Sequence, residues 1–439
     1  MRSNSWQFRH FHHSTQAKRN SSRLRQPSSG GRRPPYVLDP DCKLGTLPSS
    51  FGPSSFGNLV YLSASCPKLR LAIVTEEDPP TKRKAAFSGI RQLIQEQFQK
   101  RSFVKASVVL ASSLLLYLVA AGLFLYSPWW LMPLASLLLG LAGNVLFVIA
   151  HDSAHNSFTP IRWLNAIIAR SCFIPAWHNY TGWVHAHNHV HHGWTNLRTK
   201  DYVWAPITKS EYDQLSPWKQ WRLRFYRSAL GFALYYLIEI NFKKICMLQH
   251  EVRKTMVRRM WMLDNIFLIV AMIAQACLWI WLSQAFGKDV STVWLLTFAM
   301  IVPGIFTNYL VGFTTYLQHT HPSIPWFDNK NEWTFYIGQI RGTTHTHLPY
   351  KMNSLFHNVM DHTAHHVDPR IPLYHLPEAQ QKIEKSYARH VVHHRFTLHS
   401  LNKTLKVCQL YDYTNHCWQD FQGNPTSSRT IHFESLDGA

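Results

Sequence analysis

The chain of 439 residues is long enough for two or three soluble domains, yet 46% of its residues are apolar and only 16% are charged. Because about a quarter of the residues in soluble domains are charged, this composition argues against an ordinary cytosolic protein. The net charge of +21 is concentrated in residues 1–105 and 151–265, which flank apolar parts of the chain. Seven cysteines without a CxxC pair argue against a disulfide framework and a thiolate zinc site, whereas 27 histidines require an explanation.

The N-terminal region, residues 1–84, is basic and is predicted to be disordered. Its first 38 residues contain eight Arg or Lys and no acid before Asp39, a composition typical of an organellar transit peptide and equally of a disordered basic tail. Next comes a predicted helix with Ile90, Ile94 and Phe98 on one stripe. We expect this amphipathic helix to lie on a membrane surface.

Four runs without a charged residue are each about as long as the ~20 residues that a helix needs to cross ~30 Å of hydrocarbon. The predicted spans are residues 106–126, 129–150, 266–285 and 294–317. Short turns join the first to the second and the third to the fourth, which predicts two membrane hairpins. The apolar stretches Ile161–Ala176 and Ser228–Ile238 contain arginine or are too short, so they favour helices at the interface, with re-entrant insertion as the alternative.

Basic residues next to the spans predict the orientation of the chain. Three precede the first span and four precede the third, whereas both connecting turns together contain one lysine. The basic residues are Lys100, Arg101, Lys105, Arg253, Lys254, Arg258 and Arg259. We therefore expect an all-α, multi-pass integral membrane protein with its termini and the 151–265 loop in the cytosol. The predicted domains are a membrane domain at residues 85–375 and a C-terminal cytosolic tail at residues 376–439.

Two groups of histidines have the spacing of metal ligands. His151 and His155 are four residues apart, so a helix that continues from the second span places both on one face. Residues 183–192 add a dense run in which His187 and His191 share a helical face, while His192 lies about 100° away. Two interfacial histidines and a solvated histidine run are the alternatives.

A third group follows the fourth span. His362, His365 and His366 are spaced i, i+3 and i+4 and point one way on a helix, whereas residues 390–394 repeat the same spacing and are a rival. The even number of crossings returns all three groups to one side of the membrane, which favours one multi-histidine metal site over three coincidences. Imidazole ligands suit Fe, Zn, Cu or Ni, so the ligand type alone does not identify the metal.

With these histidine groups, the chain resembles the integral-membrane fatty-acid desaturases and their hydroxylase relatives. That family shares three histidine boxes of the forms HxxxH, HxxHH or HxxxHH, and HxxHH. The segments 151–155 and 187–192 look like the first two boxes, and 362–366, with Phe356-His357-Asn358 upstream, looks like the third. The segment Leu317-Gln318-His319-Thr320-His321-Pro322 is also similar to family sequence and implies His319 as a further ligand.

The resemblance implies two iron ions bound by nine imidazoles in a cytosolic helical cap, with O₂ as co-substrate. The implied ligands are His151, His155, His187, His191, His192, His319, His362, His365 and His366. His185 and His189 are alternatives to His187. The implied reaction introduces a cis double bond into the acyl chain of a membrane lipid, and the Gln-His-Thr-His-Pro segment favours the conversion of oleoyl to linoleoyl chains.

Neutral imidazoles leave the metal charge uncompensated, so hydrogen-bond acceptors should surround them and set their tautomers. The residues placed to do this are Asp152, Asn188, His357, Asp361 and Asp368. For Asp152 and Asp361, an acid on a helix surface is the alternative interpretation.

The implied reaction needs two external electrons per turnover, and the sequence contains no His-Pro-Gly-Gly haem signature and no flavin-type GxGxxG. We therefore expect an external donor, a ferredoxin or cytochrome b5, which the basic regions could attract. The same charge also suits anionic lipid headgroups. No nucleic-acid partner is expected.

Two other functions are alternatives, one of them close to desaturation and the other remote from it. A hydroxylase or a carotenoid oxygenase would share the histidine boxes and the hydrogen abstraction, and would differ only in the fate of the substrate radical. A histidine-rich metal transporter or sensor is the more remote alternative. A transporter should have ionisable residues inside its spans, and the four predicted spans have no Asp, Glu, Lys or Arg.

Overall fold

The computed structural model describes residues 88–94, 97–247, 249 and 255–431. The described part is mostly helical, and its named strands form two small pairs. The basic region 1–84 lies outside the described residues, so its disorder and its transit-peptide character stay predictions.

Four helices are long and apolar enough to cross a membrane, as the sequence predicts. Long helices 1 to 4 are Phe103–Tyr126, Met132–Ala154, Thr255–Ala285 and Thr292–His319. Within the described residues, the stretches 161–176 and 228–238 do not reach this length and form shorter helical segments.

The helix ends differ from the predicted spans because hydrogen bonds, rather than hydropathy, set where a helix begins. Long helix 1 begins after Ser102, whose side chain accepts a hydrogen bond from the backbone N–H of Lys105. Long helix 3 begins at Thr255, well before the predicted residue 266. Its first turns contain Arg258. A basic residue ends an apolar run in the sequence, but arginine is a good helix former, so the helix extends beyond the apolar run.

Long helix 2 is displaced toward its C-terminal end. It begins after a turn in which the Leu131 N–H donates to the Pro128 carbonyl oxygen at 2.9 Å. The helix continues past its predicted end at residue 150, and the N–H of His155 donates to the His151 carbonyl oxygen at 3.2 Å. His151 and His155 are therefore about one turn apart, as predicted.

Long helix 4 is irregular near its start. A π-helical turn at Thr297–Ile301 precedes the regular part, Val302–His319. Pro303 lies in the first turn of the regular part, and proline has no backbone N–H to donate to the preceding turn. The missing donor accounts for the local change in hydrogen bonding.

Long helices 2 and 4 form an inner pair, with 72% and 50% of their most apolar windows buried, against 22% and 17% for long helices 1 and 3. A Cβ atom at Gly140 would lie only 2.8 Å from the Pro303 carbonyl oxygen, and Thr307 Oγ1 donates to the Gly140 carbonyl oxygen at 2.9 Å. Glycine thus permits a close helix contact. Long helices 1 and 3 instead expose apolar side chains such as Leu118 and Ile273, which suits a lipid-facing surface.

Short helical segments connect long helices 2 and 3. They are the α-helices Arg162–Phe173, Tyr180–Trp183, His192–Trp194, Lys209–Asp213, Pro217–Tyr226 and Phe232–Leu234, the 3₁₀ turn Ile174–Ala176, and the π-helical segments Val184–His191 and Tyr235–Cys246. Asp264 of long helix 3 anchors this region, because its carboxylate accepts hydrogen bonds from Arg170 Nε at 2.7 Å and from the Thr181 backbone N–H at 3.0 Å. The anchor holds the segment that leads into the second histidine box.

After long helix 4 the chain alternates helical turns with short strands. The helical segments are Ile337–Arg341 (π), Pro349–Lys351 (3₁₀), Met352–Leu355, His362–Val367, Leu373–His375 (3₁₀), Leu376–Tyr387, Ala388–His390 (3₁₀) and Leu398–Val407. Strands β1 (Thr344–His347) and β2 (Val392–Arg395) pair in parallel, and β3 (Leu410–Asp412) and β4 (Cys417–Gln419) pair antiparallel.

The segment 376–431, which belongs to the predicted C-terminal cytosolic tail, packs against the preceding residues. Strand β2 pairs with β1 across the predicted boundary. Tyr413 Oη donates to the Pro206 carbonyl oxygen at 2.7 Å, and the Ala364 N–H donates to Gln380 Oε1 at 2.8 Å. Because this segment is polar in composition, its sequence did not indicate that it packs against the rest of the protein.

The predicted amphipathic helix is present at residues 88–94 and 97–98. Its stripe of Ile90, Ile94 and Phe98 is buried in the main hydrophobic core. Gln99 Nε2 also donates to Asp368 Oδ2 at 2.6 Å. This stripe therefore packs against protein rather than lying on a membrane surface, because the C-terminal segment supplies an apolar partner that the sequence pattern does not reveal.

Candidate metal centre

Nine buried or half-buried histidines from distant parts of the chain lie together in two groups. The first histidine group is His151, His155, His187, His192 and His365. The second histidine group is His191, His319, His362 and His366. Both groups contain histidine only, and together they are the nine residues that the family resemblance implied.

Ring nitrogens face one another within the first histidine group. The Nε2 atoms of His151 and His187 are 2.8 Å apart, and those of His187 and His192 are 3.2 Å apart. His192 Nε2 is in turn 3.1 Å from His365 Nε2. The ring of His155 completes the group at 4.9 Å from the ring of His151. Imidazole nitrogens from all three histidine boxes thus converge on one point.

The second histidine group has the same arrangement. His191 Nε2 lies 3.1 Å from His319 Nε2, which lies 2.9 Å from His362 Nε2. The ring of His366 is 4.5 Å from that of His362. His319, at the end of long helix 4, therefore joins imidazoles of the second and third boxes.

A π-helical segment explains how the second box supplies both groups. Val184–His191 is π-helical, and the His192 N–H donates to the His187 carbonyl oxygen five residues earlier. This geometry aligns His187 with His192, whereas an α-helix would align His187 with His191. His191 therefore points away from His187 and His192 and belongs to the second group. The prediction that His187 and His191 share a face assumed an α-helix, and this segment is π-helical instead.

The third box is also divided between the groups. His362, His365 and His366 lie on one short helix, His362–Val367, as the spacing predicts. His365 belongs to the first group, whereas His362 and His366 belong to the second. The helix lies between the two groups, so neighbouring side chains on one face reach different points.

Burial favours the neutral form of at least five of these imidazoles. It is the main cause that lowers the pKa of His187, His192 and His365 well below the usual value, and the neighbouring imidazoles lower it further. The pKa values of His362 and His366 are lowered for the same two reasons. Neutral imidazole is the form that binds a metal ion, so these rings are in the protonation state that metal binding requires.

The donor set fits two metal ions. Two nitrogens about 2.1 Å from one ion lie about 3 Å apart when they subtend a right angle. The facing nitrogens are 2.8–3.2 Å apart. In addition, Nε2 of His155 and Nε2 of His366 are buried without a hydrogen-bond partner in the described structure. A metal ion in each group would satisfy these nitrogens.

Outer partners orient the imidazoles of the second group. His191 donates from Nδ1 to Asp201 Oδ2 at 3.0 Å, and His319 donates from Nδ1 to the Gly342 carbonyl oxygen at 3.0 Å. His366 Nδ1 is 2.8 Å from Gln339 Oε1. These contacts leave Nε2 of each ring directed into the group. These three partners were not predicted from the sequence, because all of them lie outside the histidine motifs.

The five outer partners predicted from sequence are engaged elsewhere. Asp152 Oδ2 accepts from the Leu373 N–H, Asn188 Nδ2 donates to the Ala154 carbonyl oxygen, and His357 faces Ser113. Asp361 contacts His345, and Asp368 contacts Arg370. Among the residues described, none of the five side chains is hydrogen-bonded to an imidazole of the nine histidines. Proximity in sequence was a poor guide because adjacent helical residues point in different directions.

The other histidines that the structure describes lie outside both groups. His185 and His189, the alternatives to His187, are not members of either. In the rival spacing at 390–394, His390 is hydrogen-bonded to Tyr336 Oη at 2.7 Å and His394 faces Ser400 Oγ at 3.2 Å. Identical spacing therefore leads to different surroundings.

An apolar pocket adjoins the two groups. Its wall includes histidines of both groups together with Phe147, Trp183, Tyr236, Ile240 and Val311. Such a pocket can hold an apolar chain beside the metal site and exclude water from it.

These features define a class: a helical protein with four candidate membrane helices and a histidine-only site suited to two metal ions, beside an apolar pocket. The sequence profile described as fatty acid desaturase matches residues 127–398, which is more than half of the chain. The chain therefore belongs to the fatty acid desaturase family.

Individual relatives are similar at about 30% identity or less. The chain is 28% identical over 301 residues to the chloroplastic omega-6 fatty acid desaturase of Brassica napus, covering 67% of this chain and 63% of the relative. It is 27% identical over 320 residues to the sn-1 oleoyl-lipid 12-desaturase of a Picosynechococcus species, covering 71% and 87%. It is 30% identical over 271 residues to the sn-1 acyl-lipid omega-3 desaturase (ferredoxin) of a Nostoc species, covering 62% and 71%. The match thus spans slightly less than two thirds of the Brassica relative.

Proposed function

We propose that this protein is an O₂-dependent desaturase that introduces a cis double bond into an acyl chain linked to a membrane lipid. The observation that carries this proposal is the position of two histidine-only groups beside one apolar pocket. Family membership supports iron as the metal, and the division of nine imidazoles into groups of five and four supports two ions.

The residues of the chain would position the substrate and exclude water. Two iron ions held by the histidine groups would, with O₂, supply an oxidant that no side chain provides. The pocket wall, with Phe147, Tyr236 and Val311, would hold the acyl chain against the metal site. Because a misplacement of ~1 Å can cost orders of magnitude in rate, this wall would select which carbons react.

The proposed overall reaction is balanced by an external reductant. Two neighbouring carbons each lose one hydrogen, and a double bond forms between them. O₂ accepts these two hydrogens, two further electrons and two protons, and leaves as two water molecules. A ferredoxin is the proposed electron donor because the name of the Nostoc relative includes ferredoxin, and cytochrome b5 is the alternative to compare.

The proposed substrate is the oleoyl chain of a membrane lipid, converted to linoleoyl. The support is the name of the Picosynechococcus relative, an sn-1 oleoyl-lipid 12-desaturase, and the omega-6 desaturase names of the plant relatives. We further propose that the long helices form two membrane hairpins, with the termini and the histidine groups on the cytosolic side. The bias of Lys and Arg around the apolar runs supports that orientation.

The proposed activity is tested by expression in a host that lacks polyunsaturated lipids, with iron supplied. Extracted lipids are analysed for new double bonds and for hydroxyl groups. We expect linoleoyl chains to accumulate at the expense of oleoyl chains. Hydroxylated chains without new double bonds would assign the protein to the hydroxylase outcome, and unchanged lipids with intact protein in the membrane would contradict the proposal.

A matched pair of variants provides the control. His366→Ala removes a buried member of the second group, whereas His394→Ala removes a buried histidine outside both groups. We expect only His366→Ala to abolish product formation. Adding ferredoxin with its reductase, or cytochrome b5 with its reductase, to isolated membranes then identifies the donor that supports turnover.

A further inference from the structure

A separate histidine cluster lies on the surface formed by β1 and β2. The surface histidine cluster is His345, His347 and His393. In the parallel register His345 is opposite His393, and His347 is two residues farther along β1. Because side chains two residues apart share a face of a strand, all three rings lie on the outer face of the strand pair. Their neighbours Thr344, Thr346 and Val392 are buried on the inner side.

The ring nitrogens in this cluster are spaced like ligands of one ion. His347 Nε2 is 3.2 Å from His393 Nδ1, and these two rings are nearly parallel. Ligand atoms of the three histidines all lie within 4.8 Å of one another. Two nitrogens about 2.1 Å from a tetrahedral zinc ion are about 3.4 Å apart, close to the observed separation.

A carboxylate from a neighbouring helix completes a four-ligand set. Glu384, on the helix Leu376–Tyr387, has Oε1 in contact with His345 Nδ1 and 3.9 Å from His393 Nδ1. Three imidazoles and one carboxylate are a donor set that zinc accepts.

The opposite nitrogen of His345 has the partner that metal-bound histidines usually have. His345 Nε2 is 3.0 Å from Asp361 Oδ1. A carboxylate that accepts from the second ring nitrogen orients an imidazole ligand and increases its basicity. Without a metal, burial lowers the pKa of His345, but hydrogen bonds with Asp361 and Glu384 outweigh it and raise that pKa to about 9. A metal that binds Nδ1 therefore releases one proton to solvent.

We propose that His345 Nδ1, His347 Nε2, His393 Nδ1 and Glu384 Oε1 form a third metal site, for one zinc ion, outside the two histidine groups. The zinc ion joins β1, β2 and the helix Leu376–Tyr387, and so attaches the C-terminal segment to the domain that carries the third histidine box. Its role is structural, because four protein ligands leave no open position for a substrate. The inference does not depend on the proposed desaturase activity.

The test compares metal content in the full-length protein, purified without a polyhistidine tag from cells supplied with iron and zinc. Mass spectrometry of the metals should find one zinc per chain in addition to the iron. The double variant His347→Gln/His393→Gln should lose that one zinc and keep its iron. His399→Gln, which changes an exposed histidine outside the cluster, should keep both metals. Zinc that is absent from the wild-type protein, or unchanged in the double variant, would overturn the proposal.

A second measurement on the wild-type protein does not depend on the folding of a variant. Zinc-edge X-ray absorption should show three imidazole nitrogens and one oxygen at about 2.0–2.2 Å. A shell of imidazoles alone would place the zinc in the histidine groups and would contradict the third site. Added zinc should also raise the melting temperature of wild-type protein and leave that of the double variant unchanged.

Discussion

The first and second histidine groups hold similar rings in different ways. In the second group, His191, His319 and His366 contact Asp201, a backbone carbonyl oxygen and Gln339 through Nδ1. In the first group, within the described structure, the hydrogen-bond contacts of the five rings are with one another. Their orientation comes from packing, as where His187 stacks on Trp183 with ring centres 4.6 Å apart.

This difference separates two ways of preparing a metal site. Partners at Nδ1 set the tautomer of a ring before metal arrives, so the second group is preorganised by hydrogen bonds. The rings of the first group are confined by close packing, and no such partner among the described residues determines their tautomer. A bound ion would make that choice. The two groups should therefore respond differently to substitutions around them.

The largest effect is expected from the loss of a ring whose Nε2 has no protein partner. His155→Ala in the first group and His366→Ala in the second should each reduce double-bond formation by more than ~100-fold, because each removes a proposed ligand. Lipid analysis measures product, and metal analysis measures bound iron. Appreciable activity in either variant would show that its group is not required.

Substitution of Asp201 should break the preorganisation of the second group alone. Asp201→Asn keeps the shape of the side chain but weakens the acceptor of the His191 Nδ1–H. We expect a loss of about 10- to 100-fold in metal affinity or activity. Mössbauer spectra of iron-loaded protein should change for one of two iron signals. An equal change in both signals would contradict the separation of the groups.

Gln339 should produce a smaller effect that is shared by both groups. Its Oε1 contacts His366 Nδ1, and its Nε2 donates to the His192 carbonyl oxygen at 2.9 Å. Gln339→Leu removes both bonds, and a buried polar group that loses its partner costs about 1–3 kcal/mol. Thermal unfolding should show the lost stability, and activity should fall less than in Asp201→Asn. Gln339→Glu, which retains an acceptor, should recover part of the activity.

The smallest effect is expected at Asp152, next to a first-group histidine in sequence. Its carboxylate accepts from the Leu373 N–H at 3.2 Å, and Asn at this position can still accept that bond. Asp152→Asn should therefore keep its iron and change activity only a few-fold. A loss as large as that of Asp201→Asn would indicate a direct role for Asp152 in orienting the first group.

Sequence spacing predicted the members of the site better than their arrangement. The positions 151, 155, 362, 365 and 366 were predicted from spacing and the family resemblance, and His319 from the resemblance alone. The rival repeat at 390–394 has the same spacing as the third box but lies on β2 and its preceding turn. The same spacing places residues on one face of a helix but not on one face of a strand, so it predicts shared faces only where the local structure is known.

The π-helical segment at Val184–His191 shows the same limit within one box. Nothing in the pattern of residues distinguishes an i→i+5 turn from an α-helix. The turn determines that His192 rather than His191 accompanies His187. Gln339 carried no sequence signal because its contacts are made 27 and 147 positions away along the chain.

The amino-acid sequence alone determined the features that depend on local chemistry. Apolar runs about twenty residues long predicted the four long helices, and clustered imidazoles predicted a metal-binding role, since both follow from neighbouring residues. Tertiary structure alone decided how the histidines divide into two groups, which acceptors orient them, and that segment 376–431 packs onto the rest. These features depend on contacts between residues far apart in the chain, and such contacts form only when the helices pack.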